Sequence, residues 1–236
     1  FGSYAAAKTN LVRFQKKEDV AILMHSPNTR KYFPKRAGTI IWIDERTHAR
    51  YKEYASWRVA RPSIAFAVEV ALRAGIPPKD IRKRLRSFRA PHGRLEVVRK
   101  TTRDVFINDT TSTNPGAACY SLQRIYEEFG KKKSITIIAG GDDKALPVPE
   151  IKEYALLLKK KRANVILLSG PMTEKLKVFL PSKTPEVTTF SEALKYFHGG
   201  VLALVPGAAS FNLFLNEFDR ATQFTTAVKK YRRGNS

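Results

Sequence analysis

The chain is predicted to be an α/β protein: a Rossmann-like, mostly parallel sheet with helices on both faces, preceded by a partial α/β unit. Three observations predict this. Beyond residue 93, apolar runs at 95–99, 104–107, 134–139, 164–168, 186–188 and 201–205 alternate with helical stretches near 115–129, 149–161, 172–179, 190–197 and 210–232. Strands that alternate with amphipathic helices build parallel sheets covered on both sides. Before residue 93, two more strand-like runs at 20–24 and 39–43 sit among helical segments. Finally, polar or glycine-rich loops follow several of the strands, where open α/β sheets bind ligands.

Taken in order, residues 4–16 read as a helix whose buried side would come from Leu11, Phe14 and the Ala5–Ala7 run. The strands at 20–24 and 39–43 are separated by a loop holding Pro27, Pro34 and Gly38. The segment 44–60 contains Trp57 but shows no clean period. Pro62 opens a helix over 63–74 that Gly75 closes, and Pro77-Pro78 starts another from about Lys79 to Phe88. Residues 89–95, with Pro91 and Gly93, are the best candidate for a domain boundary. There is no internal repeat and no low-complexity segment.

The stretch Phe106 to Pro115 concentrates the chemistry. The apolar Val105, Phe106 and Ile107 run into Asn108-Asp109-Thr110-Thr111-Ser112-Thr113-Asn114, and Pro115 then suits the first turn of a helix capped by Asn114. A strand passing through such a loop into a helix puts N–H groups, hydroxyls and one carboxylate together, a setting that favours anions. An ordinary capped turn is the competing reading. Gly140-Gly141-Asp142-Asp143-Lys144 and Pro206-Gly207-Ala208-Ala209-Ser210 also follow strands. In a parallel sheet these loops share one edge with 108–114. Lys144 is a candidate clamp for a carboxylate or phosphate. Ser210 is either a helix N-cap or a ligand contact, and the glycines answer turn geometry.

Composition narrows the partners. The hydrophobic fraction of 43% is that of a globular protein, and the net charge is +22. Residues 1–92 hold 20 basic and 7 acidic side chains, leaving 23 and 14 for 93–236, so the excess is shared by both parts. It favours nucleotides, nucleic acid, or phosphorylated and carboxylated substrates without choosing among them. The runs Lys131–Lys133, Lys159–Arg162 and Lys229–Arg233 fall at helix ends, where solvated charge is common. No apolar run approaches the roughly 20 residues of a membrane span, and no secretory signal is evident. The single cysteine, Cys119, allows no internal disulfide and suits a reducing cytoplasm, with a core position expected. The absence of an initial Met suggests a fragment.

The residues Asn108 to Pro115, Gly140 to Lys144, Pro206 to Phe211 and Asn216-Glu217-Phe218-Asp219-Arg220 together resemble the C-terminal domain of the Mur ligase family, and most closely its D-glutamate-adding branch. Pro91-His92-Gly93-Arg94-Leu95-Glu96 resembles the family's junction between central and C-terminal domains, and Tyr4 to Lys8 its carbamylated-lysine segment. The resemblance implies a partial central, ATP-binding domain at 1–92 and a C-terminal domain at 93–236. It implies a cytoplasmic, ATP- and magnesium-dependent ligase that adds D-glutamate to UDP-MurNAc-L-Ala in peptidoglycan (cell-wall) synthesis. By the same carry-over Lys8 is carbamylated and supports magnesium, Arg94 and Asp109 contact ATP, and Thr113, Lys144, Ser210 and Phe218 line the D-glutamate pocket, with no direct metal ligand.

Departures accompany the match. No Gly-x-x-Gly-Lys-Thr/Ser phosphate loop occurs in the 236 residues, and no UDP-binding domain. Where the family carries a His-Asn pair and a further Asn, this sequence has Val59-Ala60 and Ser63; some relatives carry lysine at Thr111, and Leu215 and Ala221 replace a more usual lysine and glycine. The chain alone is therefore expected to be inactive, being either cut from a longer chain or paired with a separate N-terminal piece that carries the phosphate loop. The alternative is a non-catalytic module of the same fold that binds RNA or another polyanion.

Overall fold

The computed structural model describes residues 2–33, 38–51, 54, 61–88 and 91–232, so Trp57 and Val59-Ala60 lie outside the described residues. The chain divides into two compact units, Phe1–Arg89 and Ala90–Ser236.

The first unit runs α1 (Gly2–Arg13), β1 (Val20–Met24), α2 (Pro27–Tyr32), β2 (Thr39–Ile43), α3 (Glu45–Arg50), α4 (Arg61–Arg73) and α5 (Pro78–Ser87). β1 and β2 pair in parallel, Val20 opposite Thr39 through Met24 opposite Ile43. Alternation along both strands feeds two cores. Ala21, Leu23, Ile40 and Trp42 pack with Val12 of α1. On the other face Ile22, Met24 and Ile43 meet Ile64, Ala65 and Val68 of α4 and Ile81 of α5. Full burial of a side chain like Ile43 contributes on the order of 2 kcal/mol. In the first helix Ala5 is buried as expected, together with Val12, whereas Ala6 and Ala7 are exposed and Leu11 and Phe14 are 75% and 78% exposed. Ala5 and Val12 stand seven apart, two helical turns on one stripe; Leu11 lies about 100° round the helix from Val12, and Phe14 lies past its last residue, Arg13.

The second unit contains β3 (Glu96–Lys100), β4 (Val105–Asn108), α6 (Pro115–Phe129), β5 (Ile135–Gly140), α7 (Val148–Lys160), β6 (Asn164–Leu168), α8 (Pro171–Lys177), β7 (Glu186–Val187), α9 (Phe190–Lys195), β8 (Val201–Leu204) and α10 (Glu217–Lys230). Its sheet has the order β3-β4-β8-β5-β6-β7, antiparallel only at β3. The chain moves outward from β4 to β7 and then returns to insert β8 between β4 and β5. Right-handed crossovers in opposite directions put their helices on opposite faces. Accordingly α7 packs with α6 and α8, while α10 packs with α9 and against β3 and β4. Phe106, Ile138, Ile166, Leu168, Leu202 and Leu204 point to the second group, where Phe190, Phe197, Phe224 and Val228 meet them.

Local signals explain the boundaries. Asn114 caps α6, its carboxamide oxygen accepting from the Ala117 N–H at 2.9 Å, with Pro115 in the first turn. Thr189 and Glu192 form a capping box on α9. The helix expected over 210–232 begins only at Glu217. Asn216, not Ser210, is its cap, accepting from the Phe218 and Asp219 N–H groups. Between the two, Phe214 turns inward to stack on Phe190, with ring centroids 5.5 Å apart. Cys119 is half-buried on α6 rather than fully in the core. Burial, helped by Glu153, pushes its thiol up to about 11, which leaves little thiolate at neutral pH.

Gly140, at the end of β5, has φ +89, and a Cβ there would lie 2.2 Å from Thr173 Oγ1 and 2.9 Å from the Leu168 carbonyl. Gly75 has φ +77 but nothing within 4 Å of the same position. Gly140→Ala is expected to cost about 3 kcal/mol, combining backbone strain with displaced hydrogen bonds, and Gly75→Ala about 1 kcal/mol. Urea unfolding of the two variants checks the difference; equal costs would contradict it.

Candidate functional site

Because β4, β8 and β5 are parallel neighbours, the loops that follow them emerge along one edge, at the point where the strand order reverses. That is the crevice in which doubly wound sheets hold ligands. The loops are joined to one another. The Gly207 N–H donates to the Ser112 carbonyl at 2.9 Å, and Asp142 and Ala209 exchange a pair of backbone hydrogen bonds, each 3.0 Å. A fourth loop belongs to this rim and was not anticipated: Ser169-Gly170, after β6. The Gly141 carbonyl accepts from the Met172 N–H, and Asn212 Nδ2 donates to the Ser169 carbonyl. Its signal was the Ser-Gly-Pro sequence directly after an apolar strand.

The central fastening is Arg220 on α10, fully buried. Its Nε donates to Thr110 Oγ1 at 2.9 Å, Nη2 to the Thr110 carbonyl at 2.8 Å, and Nη1 to the Ala208 and Ala209 carbonyls at 3.1 and 3.0 Å. Thr110 Oγ1 in turn donates to the Glu217 carbonyl. One side chain thus holds together the β4 loop, the β8 loop and the start of α10. Burial pulls the guanidinium down to about 10, with nearby Glu217 acting the other way, so it stays charged at neutral pH.

The Pro91–Leu95 turn closes over the β4 loop. The Leu95 N–H donates to Asp109 Oδ1 at 2.8 Å, and the Gly93 carbonyl accepts from the Thr111 N–H and hydroxyl. Gly93 has φ +74, and a Cβ there would meet Thr110 Cγ2 at 2.6 Å. Burial pushes the Asp109 carboxyl up to about 6, against the Ser121 hydroxyl, the Leu95 amide, the Ser112 hydroxyl and the charge of Arg94. Arg94 and Asp109 are therefore brought into one neighbourhood, with Arg94 itself exposed.

The remaining candidates fall as follows. Ser210 is buried and its hydroxyl lacks an internal partner, as does Asn108 Nδ2. Leaving such groups unpaired costs about 1–3 kcal/mol each, so a pair of them at one sheet edge suits a ligand. Thr113 is half-buried, next to Ser112 in the loop that meets Gly207. Lys144 is exposed, two residues beyond the Asp142–Ala209 contact. Phe218 lies in the first turn of α10, 59% exposed, beside the Glu217 carbonyl that binds Thr110. Lys175 pairs with Asp143 at 2.5 Å, which holds that carboxyl below its usual range and anchors the turn that bears Lys144. Lys8 belongs to the other unit, on α1, with an exposed side chain. Among the described residues no group of three or more His, Cys, Asp or Glu could hold a metal, and no helix is long and apolar enough to cross a membrane.

No protein-family model matches the chain. Curated relatives do. It is 33% identical over 181 residues to a UDP-N-acetylmuramoylalanine–D-glutamate ligase of Roseiflexus sp. (strain RS-1), covering 72% of this chain and 37% of that protein. Against the protein of the same name from Nitrosomonas europaea the figures are 29% over 202 residues, with 81% and 41% covered. The chain belongs to the Mur ligase family. It spans about two fifths of the length of the curated relatives it matches and corresponds to a C-terminal portion. Among solved structures, a UDP-N-acetylmuramoylalanyl-D-glutamyl-2,6-diaminopimelate–D-alanyl-D-alanyl ligase from Acinetobacter baumannii shares the fold, with TM-score 0.61 and 17% identity over 96% of this chain and 55% of that one. The stitched rim is thus the carboxyl edge of a Mur ligase C-terminal fold.

Two measurements test this rim. Arg220→Met strands the Thr110, Ala208 and Ala209 carbonyls without their donor and is expected to cost about 3–5 kcal/mol by urea unfolding, with Arg220→Lys recovering only part; a loss under about 1 kcal/mol would remove Arg220 from its fastening role. Asp109 binds its proton more tightly folded, near 6, than at its ordinary value of 3.8. Its folded state therefore holds more protons between those values, and stability falls as pH rises from 4 to 7, by roughly 3 kcal/mol from this group. Asp109→Asn is expected to flatten the stability–pH curve across that window, and an unchanged slope would count against the shift.

Proposed function

We propose that the chain supplies the amino-acid-holding part of a D-glutamate-adding Mur ligase. The observation that carries this reading is the pair of polar groups without internal partners, Ser210 Oγ and Asn108 Nδ2, on a rim whose loops are already fastened together. A preformed edge loses little conformational freedom on binding, and Lys144 adds an ammonium that can reach for a carboxylate.

In the reaction this implies, the terminal carboxylate of UDP-MurNAc-L-Ala attacks the γ-phosphorus of ATP and ADP leaves. The amine of D-glutamate then adds to the carbonyl carbon of the acyl phosphate, inorganic phosphate departs, and the nitrogen gives up a proton as the amide forms. The role of Lys144, Ser210, Thr113 and Phe218 is to hold D-glutamate through its carboxylates and carbon chain, so that its neutral amine faces the acyl carbon. Arg94 and Asp109 are the candidates for contact with ATP, and the exposed amine of Lys8 the candidate for carbamylation in support of magnesium. The described residues offer no cluster of metal ligands, so no step is assigned to the ion. The phosphate loop is absent from the 236 residues and has to be provided by another polypeptide segment.

Calorimetric titration is expected to show D-glutamate binding more tightly than L-glutamate. Lys144→Ala and Ser210→Ala should each weaken D-glutamate binding about tenfold, as expected for loss of one charge-assisted or buried hydrogen bond. Equal binding of both enantiomers, or variants that bind as well as the parent, would refute the pocket. The chain alone should release no phosphate from ATP and UDP-MurNAc-L-Ala when D-glutamate is added; D-glutamate-dependent release would show that it is complete as it stands.

A further inference from the structure

We infer that the cationic face of α5 is a sequence-independent binding site for the phosphate backbone of single-stranded nucleic acid. The helix Pro78–Ser87 carries Lys79, Arg82, Lys83, Arg84 and Arg86 against the single acidic Asp80. Lys79, Arg82, Lys83 and Arg86, together with Ser87, line one concave surface. Their spacing of three and four residues puts them on one stripe, and a helix rising 1.5 Å per residue makes that stripe about 10 Å long.

At Lys79, Lys83 and Arg86 the stripe lacks the ion pairs usual for a solvated helix face. Every i,i+3 and i,i+4 neighbour within it is a like charge, which works against the helix. Among the described residues, no carboxylate lies within ion-pair distance of Lys79, Lys83 or Arg86. Arg82 has its guanidinium 5.9 Å from the Tyr54 ring centroid, which steadies its stem while the charge is retained. An anion with regularly spaced charges would relieve Lys79, Lys83 and Arg86 together.

The observations favour a strand of phosphates over other anionic partners. The apolar side of α5 is occupied: Ile81 is 6% exposed and Leu85 packs on the same core, so the helix has no free hydrophobic face to insert into a bilayer. The surface is lined by side chains with no glycine-rich loop of backbone N–H groups, unlike a mononucleotide cradle. Tyr54 is buried, but Phe88, the residue directly after Ser87, is 49% exposed at the end of the stripe, where a base of a single strand can stack on it without regard to sequence. This site lies in the Phe1–Arg89 unit and does not depend on the D-glutamate reading of the other unit.

The test uses the full 236-residue chain and a fluorescent single-stranded RNA of mixed sequence, with affinity measured by anisotropy across a salt series. Each phosphate contact on a single strand contributes about −0.7 to the slope of log affinity against log salt. Lys79→Gln, Lys83→Gln and Arg86→Gln combined are expected to reduce that slope by about two and weaken binding at least tenfold at low salt. A control with equal charge loss, Lys131→Gln, Lys132→Gln and Lys160→Gln, is expected to leave the slope near that of the parent. Both triple variants alter exposed residues, and thermal melts confirm that each is folded. Three results would overturn the assignment: no RNA retained at low salt, equal losses in the two triple variants, or α5-dependent binding to anionic phosphatidylserine vesicles without binding to RNA.

Discussion

The geometry of the second unit depends on one buried cation. Arg220 reaches from α10 under the loops that follow β4 and β8, and its guanidinium is satisfied by a hydroxyl and three carbonyls rather than by a carboxylate. Loops that turn away from a sheet edge leave acceptors facing inward, and water cannot reach them there. A planar group with five donors answers several of these acceptors from one position. Desolvation lowers its pKa only to about 10, so the charge is kept and each hydrogen bond remains charge-assisted.

That fastening matters because of the strand order. Inserting β8 between β4 and β5 gives the sheet its crevice but brings together loops about a hundred residues apart in sequence. Nothing local joins 109–114 to 206–210; the Gly207–Ser112 bond and Arg220 do so, and the Asp142–Ala209 bridge adds the β5 loop. Glycine is required where backbones approach most closely. A Cβ at Gly141 would stand 2.7 Å from the Ala209 carbonyl, and one at Gly207 would stand 2.9 Å from the Tyr154 ring. Tyr154 is itself tied to the Val205 carbonyl through its hydroxyl, so the β8 loop is gripped from α7 as well as from α10.

The sheet was legible because its strands are short apolar runs between strong turn signals. The expected 20–24, 39–43 and 164–168 agree with β1, β2 and β6 to the residue. Asn114-Pro115 likewise announced the start of α6. The errors share a cause: a side chain's partners were distant in sequence. Leu11 and Phe14 looked like a helix face, but the stripe is set by where β1 and β2 lie, and these favour Ala5 and Val12. Ser210 looked like a cap for a long helix, until the packing of Phe214 on Phe190 delayed its start to Glu217. Arg220 is a charged residue in an amphipathic helix and reads as solvated. Only the folded chain shows that its face of α10 points at four buried acceptors.

Asp109 sits where the charge of a neighbour sets its protonation. Its carboxyl is held near 6 by burial, yet Arg94, the Leu95 amide and two serine hydroxyls all pull it toward ionisation. The balance is close enough to neutrality that one further charge would decide it. An anionic phosphate brought within a few ångströms favours the protonated acid, and a divalent cation favours the carboxylate. The direction of the shift on loading a ligand therefore reports the sign of the charge that arrives beside Asp109. A fully exposed aspartate could not report it, because solvent would screen most of the effect and its carboxyl would be ionised in either case.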